Sequence, residues 1–356
     1  MKKGEKWFKF GLAIIMIFLI IWLGTKVSFI FTPLVIIFQT LFPPIILAGV
    51  LYYLMRPVVN LIAKKIPRTL AILITFIAIG GVITGLVFLV GPKLQTQFDT
   101  LIKNFPSYAH VLQEKATNLS QNDWFLRLQN DYFSIEKLTS QFEKNAQSLI
   151  QNIGSTIAGT VGFIANIVMV LLLIPFVLFF MLKDGKQAPK FLMKILPKKH
   201  QKEAENVLEE MDDALSSYIQ GQLIVSFCVG VLAYIGYLII GLEYSLVLGV
   251  LAMVTNVIPF VGPWIGTFPA LIVGLFTSPL QALLVVLVAV VAQQTESNFI
   301  SPFVMGKALN MHPLTIIFVL LVAGQFGGLL GLILAVPTYA LLKVIVSHLY
   351  RYLRLE

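Results

Sequence analysis

Long apolar runs, separated by short polar and basic stretches, set the pattern of this chain. Residues 7–31, 33–55, 69–90, 157–182 and 219–240 are each almost wholly apolar. A helix of about 20 such residues crosses a hydrocarbon core of ~30 Å, so each run predicts a membrane-spanning helix. The first run follows Lys2, Lys3 and Lys6. It is too long for a secretory leader and no small-residue cleavage site follows it, so a retained helix is expected. Pro43 and Pro44 should kink the second span, and Gly91–Pro92 should end the third.

Two stretches are polar. Residues 92–154 carry charges of both signs, with apolar residues at helical spacing: Tyr108, Val111, Leu112 and Leu119, then Ile135, Leu138, Phe142 and Leu149. With Trp124 and Phe125, this periodicity predicts a small extramembrane helical insert rather than a loose linker. Behind the fourth span come Lys183, Lys186, Lys190, Lys194, Lys198, Lys199 and Lys202, then an amphipathic stretch over 203–218.

Beyond residue 244 the apolar pieces become short and are broken by Pro and Gly. The arms 246–258 and 264–276 flank Pro259, Gly262 and Pro263. At about 13 residues each arm is too short to span as a straight helix. A re-entrant hairpin is predicted, an ordinary loop between short spans being the other reading. The apolar run 279–292 leads into Gln293, Gln294, Thr295, Glu296, Ser297 and Asn298. A carboxylate at membrane depth is costly and usually faces a protein interior or a water path. Glu296 is therefore the leading candidate for a proton- or substrate-coupled group; the alternative is a solvated interfacial loop. A second interrupted unit, 316–326 and 329–336, surrounds Gly324, Gln325, Gly327 and Gly328 and ends at Pro337. Paired interrupted segments point to a transport site. Gly81 with Gly85, and Gly324 with Gly328, allow close helix packing.

Composition agrees with this pattern: 58% of residues are hydrophobic and 12% charged, against about 25% charged in soluble domains. The net charge of +9 is carried at the ends of apolar runs, as in cytoplasmic loops. It does not form the clustered basic, aromatic-interleaved surface of a nucleic-acid binder. Counting those cations places both termini in the cytoplasm and the 92–154 insert outside. Cys228 is the only cysteine, and His110, His200, His312 and His348 lack ligand spacing. No metal site, cofactor, catalytic constellation or phosphate-binding loop is predicted. The expected class is an all-α integral membrane protein with about eight membrane segments. Its regions are 1–90 (the first three helices), 91–155 (the extracellular insert), 156–182 (the fourth helix), 183–218 (the basic amphipathic segment) and 219–356 (the transport region).

Three pieces of sequence carry a resemblance. They are Phe179-Phe180-Met181-Leu182-Lys183-Asp184-Gly185; Asn256-Val257-Ile258-Pro259-Phe260-Val261-Gly262-Pro263; and Gln294-Thr295-Glu296-Ser297-Asn298 with Pro302, Met305-Gly306-Lys307 and His312-Pro313-Leu314. Together they resemble the autoinducer-2 exporter family of bacterial membrane proteins, over nearly the whole chain. The resemblance implies a secondary transporter of the bacterial cell membrane, assembled as a homo-oligomer (a pentamer) with elevator-like motion. It carries over Pro259, Gly262 and Pro263 as a hairpin tip, Glu296 and Asn298 as site candidates, and the 324–328 run as a mobile hinge. The substrate would be a small polar solute such as autoinducer-2, for which Gln293, Gln294, Thr295, Asn298, Gln325 and Asn256 supply hydrogen-bonding side chains. Some members of the family are Na⁺(Li⁺)/H⁺ antiporters, which is a second possibility. A non-transporting membrane scaffold is the third.

Overall fold

The protein is described from a computed structural model. It covers residues 11–12, 15–16, 18–19, 28–119, 160–185, 187–195, 197–305 and 311–355. Most of the first expected span, and residues 120–159 of the insert with Trp124 and Phe125, lie outside the described residues. The elements are α1 (Ser28–Ile62), α2 (Arg68–Leu119), α3 (Thr160–Asp184), α4 (Ala188–Ile195), α5 (Lys198–Ile239), α6 (Ser245–Thr255), α7 (Gly262–Thr277) and α8 (Pro279–Thr295). A π-helical turn, Glu296–Ile300, joins α8 to α9 (Ser301–Met305), and α10 spans Pro313–Leu355. Among the described residues there is no strand. Among the described residues, five segments are long and apolar enough to cross a bilayer: Val35–Ile62, Arg68–Asn104, Lys198–Ile239, Pro279–Met305 and Pro313–Arg351. Their outward faces carry Ile77, Phe88, Leu89, Leu283, Leu321 and many other exposed large apolar side chains. Water would not tolerate this surface, and lipid does. The fold is that of an all-α integral membrane protein.

Two expected helix ends are absent. The helix of the third span continues through Gly91–Pro92 to Leu119. One missing N–H costs a helix roughly 3 kcal/mol, and here tertiary contacts offset it. Leu101 packs on the core below hairpin α6–α7. Asn104 Nδ2 donates to the Tyr244 hydroxyl at 2.9 Å, and Gln97 Oε1 accepts from Val247 N–H at 3.2 Å. The amphipathic 203–218 stretch and the fifth span form one helix, α5. The last helix does not end at Pro337 but runs on to Leu355.

Two bodies result. In the first, Ala48, Tyr52, Met55 and Val59 recur at helical spacing on α1 and meet Ala71 and Ile72 of α2 and Leu178 and Leu182 of α3. In the second, α5, α6, α7 and α8 share a core of Ala233, Tyr237, Leu248, Ala252, Ala270, Val273 and Val285. Here the backbones come close, for a Cβ on Gly230 would strike Met253 and one on Gly249 would strike Tyr234. A polar seam joins the bodies. Arg56 Nη1 contacts Asp212 Oδ2 at 2.6 Å and Oδ1 at 2.8 Å. Tyr53 Oη donates to Asp212 at 3.1 Å, and Gln220 Nε2 donates to the Tyr53 carbonyl at 2.8 Å.

Candidate functional site

The first broken helix folds as a hairpin whose turn follows from its residues. Proline at 259 has no N–H to extend α6, and its carbonyl instead accepts from Val261 N–H at 2.7 Å. Phe260 sits in the left-handed region, φ 63°. Gly262 starts α7 hard against the Thr255 carbonyl, where any Cβ would overlap that oxygen. Pro263 occupies the first turn of α7, where no N–H is needed. Pro259, Gly262 and Pro263 thus stand at the turn.

The turn opens onto a buried polar stripe. Tyr218, Gln222 and Ser226 fall four residues apart on α5 and so share one face over about 12 Å. All three are buried. Gln222 Nε2 donates to the Asn256 carbonyl at 2.7 Å, which ties α5 to the hairpin turn. Asn256 is 1% exposed. Its side-chain oxygen and nitrogen, the Tyr218 hydroxyl and the Ser226 hydroxyl are buried without a hydrogen-bond partner. Each such group costs about 1–3 kcal/mol. Four such atoms sit on α5 and on the hairpin turn that Gln222 ties to it.

Glu296 reaches the same place from α8. Its carboxylate accepts from Gln293 Nε2 at 3.2 Å and faces the Asn256 amide without closing a bond of ordinary geometry. Glu296 opens the π turn, in which Ser301 N–H donates five residues back to the Glu296 carbonyl. Pro302 accounts for the widening. In a regular helix its ring would crowd the carbonyl of residue 298, and a wider turn relieves that clash. Such single π turns recur at functional sites.

The other expected residues go elsewhere. Gln294 and Asn298 bond to each other at 3.0 Å on an exposed face. Gln325 is exposed near the end of the first arm of α10. The break in α10 falls at Gly328 alone, φ 54° and ψ −135°, while Gly324 and Gly327 stay helical. The chain folds back so tightly there that a Cβ on Gly331 would overlap the Ala323 carbonyl. The shaft of this second hairpin, at Leu320 and Ala335, packs on Ile258 from the turn of the first. Gln222 and Ser226 are the residues that sequence reasoning missed. Their only signal was polarity at a four-residue spacing within an apolar run. Among the described residues no cluster of three His, Cys, Asp or Glu could hold a metal.

Comparison with known proteins bears on what this arrangement does. Residues 12–351 match the family described as "AI-2E family transporter". The chain is 44% identical over 346 residues to "Putative transport protein YueF" of Bacillus subtilis (strain 168), covering 97% of this chain and 94% of that protein. It is 34% identical to "Putative transport protein YrrI" of the same organism, over 95% of this chain and 94% of that one. It is 28% identical to "Putative permease PerM" of Escherichia coli (strain K12), over 88% of each chain.

Proposed function

The chain belongs to the AI-2E transporter family, and from that premise we propose that this multi-pass bacterial membrane transporter exports a small polar solute, such as autoinducer-2, coupled to protons through Glu296. One observation carries the reading: four polar atoms lie buried without partners on α5 and on the hairpin turn tied to it, and a carboxylate faces the Asn256 of that turn. Discontinuous helices at mid-membrane are the usual framework of secondary transport sites. A hydroxyl-rich solute would take up the hydrogen bonds that Asn256, Ser226 and Tyr218 leave open. The hairpins α6–α7 and α10 are the two broken helices of this reading. Their turns and shafts overlap at Ile258, Leu320 and Ala335, which gives two gates around one niche. Both termini lie in the cytoplasm, as the positive-inside rule requires of the basic loops at 64–68 and 183–202. A homo-oligomer would cover part of the exposed apolar surface.

Na⁺(Li⁺)/H⁺ exchange is the second reading. Glu296 favours it as the only acidic residue between Glu243 and Glu356. The carbonyls freed at the turn could complete an ion site.

Proteoliposomes with a pH-sensitive dye inside separate the readings. Wild type and Glu296→Gln are compared under Na⁺ or Li⁺ gradients and then with autoinducer-2. Autoinducer-2 flux that moves protons, with the proton movement lost in Glu296→Gln, supports the exporter. A cation-driven proton signal lost in the variant establishes the antiporter. Silence under both conditions from folded protein removes both readings and leaves the scaffold.

A further inference from the structure

A second site lies at the basic end of the helices, away from the polar niche. Two cavities share a wall of Tyr52, Gly185, Pro189, Leu208 and Asp212. One is a polar chamber of about 440 Å³. The other is an apolar crevice of about 620 Å³ that reaches Phe176, Val177, Met181, Leu215 and Leu341. The chamber carries both signs of charge, with Arg56 and Arg68 against Glu205, Glu209 and Asp212.

The two arginines are held in place. Arg56 stacks over the Tyr52 and Tyr53 rings, 5.6 Å from each centroid, with Nη1 on Asp212. Arg68 donates from Nε to the Leu182 carbonyl at 2.6 Å and from Nη1 to Asn60 Oδ1 at 3.2 Å. Its Nη2 forms no hydrogen bond with the described residues and remains for a ligand. Glu205 and Glu209 lie one turn apart on α5 and line the same chamber.

The surroundings are those of a bilayer interface. The short helix α4 presents Phe191, 69% exposed, and an exposed Lys194, the make-up of a segment lying in the headgroup layer. On the crevice side Phe176 is 63% exposed. A greasy slot that runs into a chamber with paired cations and carboxylates matches one kind of molecule.

We propose that the chamber and crevice bind a phospholipid whose headgroup bears both a phosphate and a primary ammonium. The phosphate sits on the Arg68 guanidinium edge, the ammonium on Glu205 and Glu209, and one acyl chain in the crevice. An anionic headgroup without an amine would meet the carboxylates unfavourably. Bound there, the lipid bridges the two bodies beside the Arg56–Asp212 seam, and this role is independent of which solute the transporter carries.

Native mass spectrometry of the full-length protein, exposed to equal phosphatidylethanolamine and phosphatidylglycerol, tests the site. Wild type should retain phosphatidylethanolamine at one per chain. The surface variant Glu205→Gln/Glu209→Gln should lose its preference by about tenfold, the size of one charge-assisted contact. Leu215→Trp should fill the crevice and release both lipids, with helical content and elution volume unchanged. Equal retention of the two lipids by wild type overturns the proposal, as does an undiminished preference in the double variant. So does a folded wild type that holds neither, including the case in which cross-links from position 215 put a second copy in the groove.

Discussion

The two bodies treat polarity in opposite ways. In the α1–α3 bundle, Thr75 is the one buried polar residue among those described, and its hydroxyl donates to the Ala71 carbonyl at 2.7 Å. Its helices are long and turn much of their surface outward, with 11% of the apolar window of Arg68–Asn104 buried. In the α5–α10 body the helices are broken and glycines let backbones touch. Buried polar groups are left without partners at Tyr218, Ser226 and Asn256. A bundle that only needs to stay folded satisfies its polar atoms. On the function proposed above, a body that leaves several open keeps them for a solute that comes and goes.

The sharpest way to break this comparison is at glycine. Gly262→Ala places a methyl on the Thr255 carbonyl. It should cost about 3 kcal/mol or more, seen as a loss of folded protein and of flux. Gly81→Ala, in α2, meets nothing within 4 Å among the described residues. It should raise stability by about 0.5–1 kcal/mol through helix propensity alone. Thermal unfolding in detergent reads both. If Gly81→Ala instead destabilises the assembled protein, the α2 face is a contact between copies and is not turned to lipid.

The next test addresses the seam between the bodies. A double-mutant cycle of Arg56→Ala and Asp212→Ala should give a coupling of about 1 kcal/mol. It should be no larger, because the Asp212 side chain keeps 39% of its surface exposed and solvent screens the pair. A coupling near zero would leave the bodies joined by packing alone. One well above that figure would make the seam a principal determinant of how they sit together.

These contrasts were unequally legible in the sequence. The spans could be read because only helices of about 20 apolar residues satisfy their backbone in lipid. The first hairpin could be read because Pro259, Gly262 and Pro263 each answer a local backbone demand. Gly91–Pro92 and Pro337 misled. There the local preference of proline for a helix end lost to contacts made elsewhere, such as Asn104 with Tyr244 across 140 residues. Glu296 stood out as a lone carboxylate. Gln222 and Ser226 did not, since polar residues in a membrane helix serve equally as glue between helices. Only the fold, by bringing Asn256 beside them, shows that their hydrogen bonding is incomplete.

The smallest expected change in stability is at Ser226, and it bears most directly on what the open polar atoms are for. Removing a buried hydroxyl that has no partner relieves its desolvation cost, so Ser226→Ala should leave the unfolding temperature equal or slightly higher. If that hydroxyl serves a guest, flux through the reconstituted protein should fall severalfold in the same variant. Thr75→Val supplies the control from the other body. It removes a satisfied hydrogen bond within α2 and should cost about 0.5–1.5 kcal/mol, with flux unchanged. A Ser226→Ala protein that loses stability and transports normally would assign the hydroxyl to structure, and the contrast between the bodies would then rest on Asn256 and Glu296. Stability kept and flux lost would show that the C-terminal body gives up polar satisfaction at Ser226 for the sake of transport.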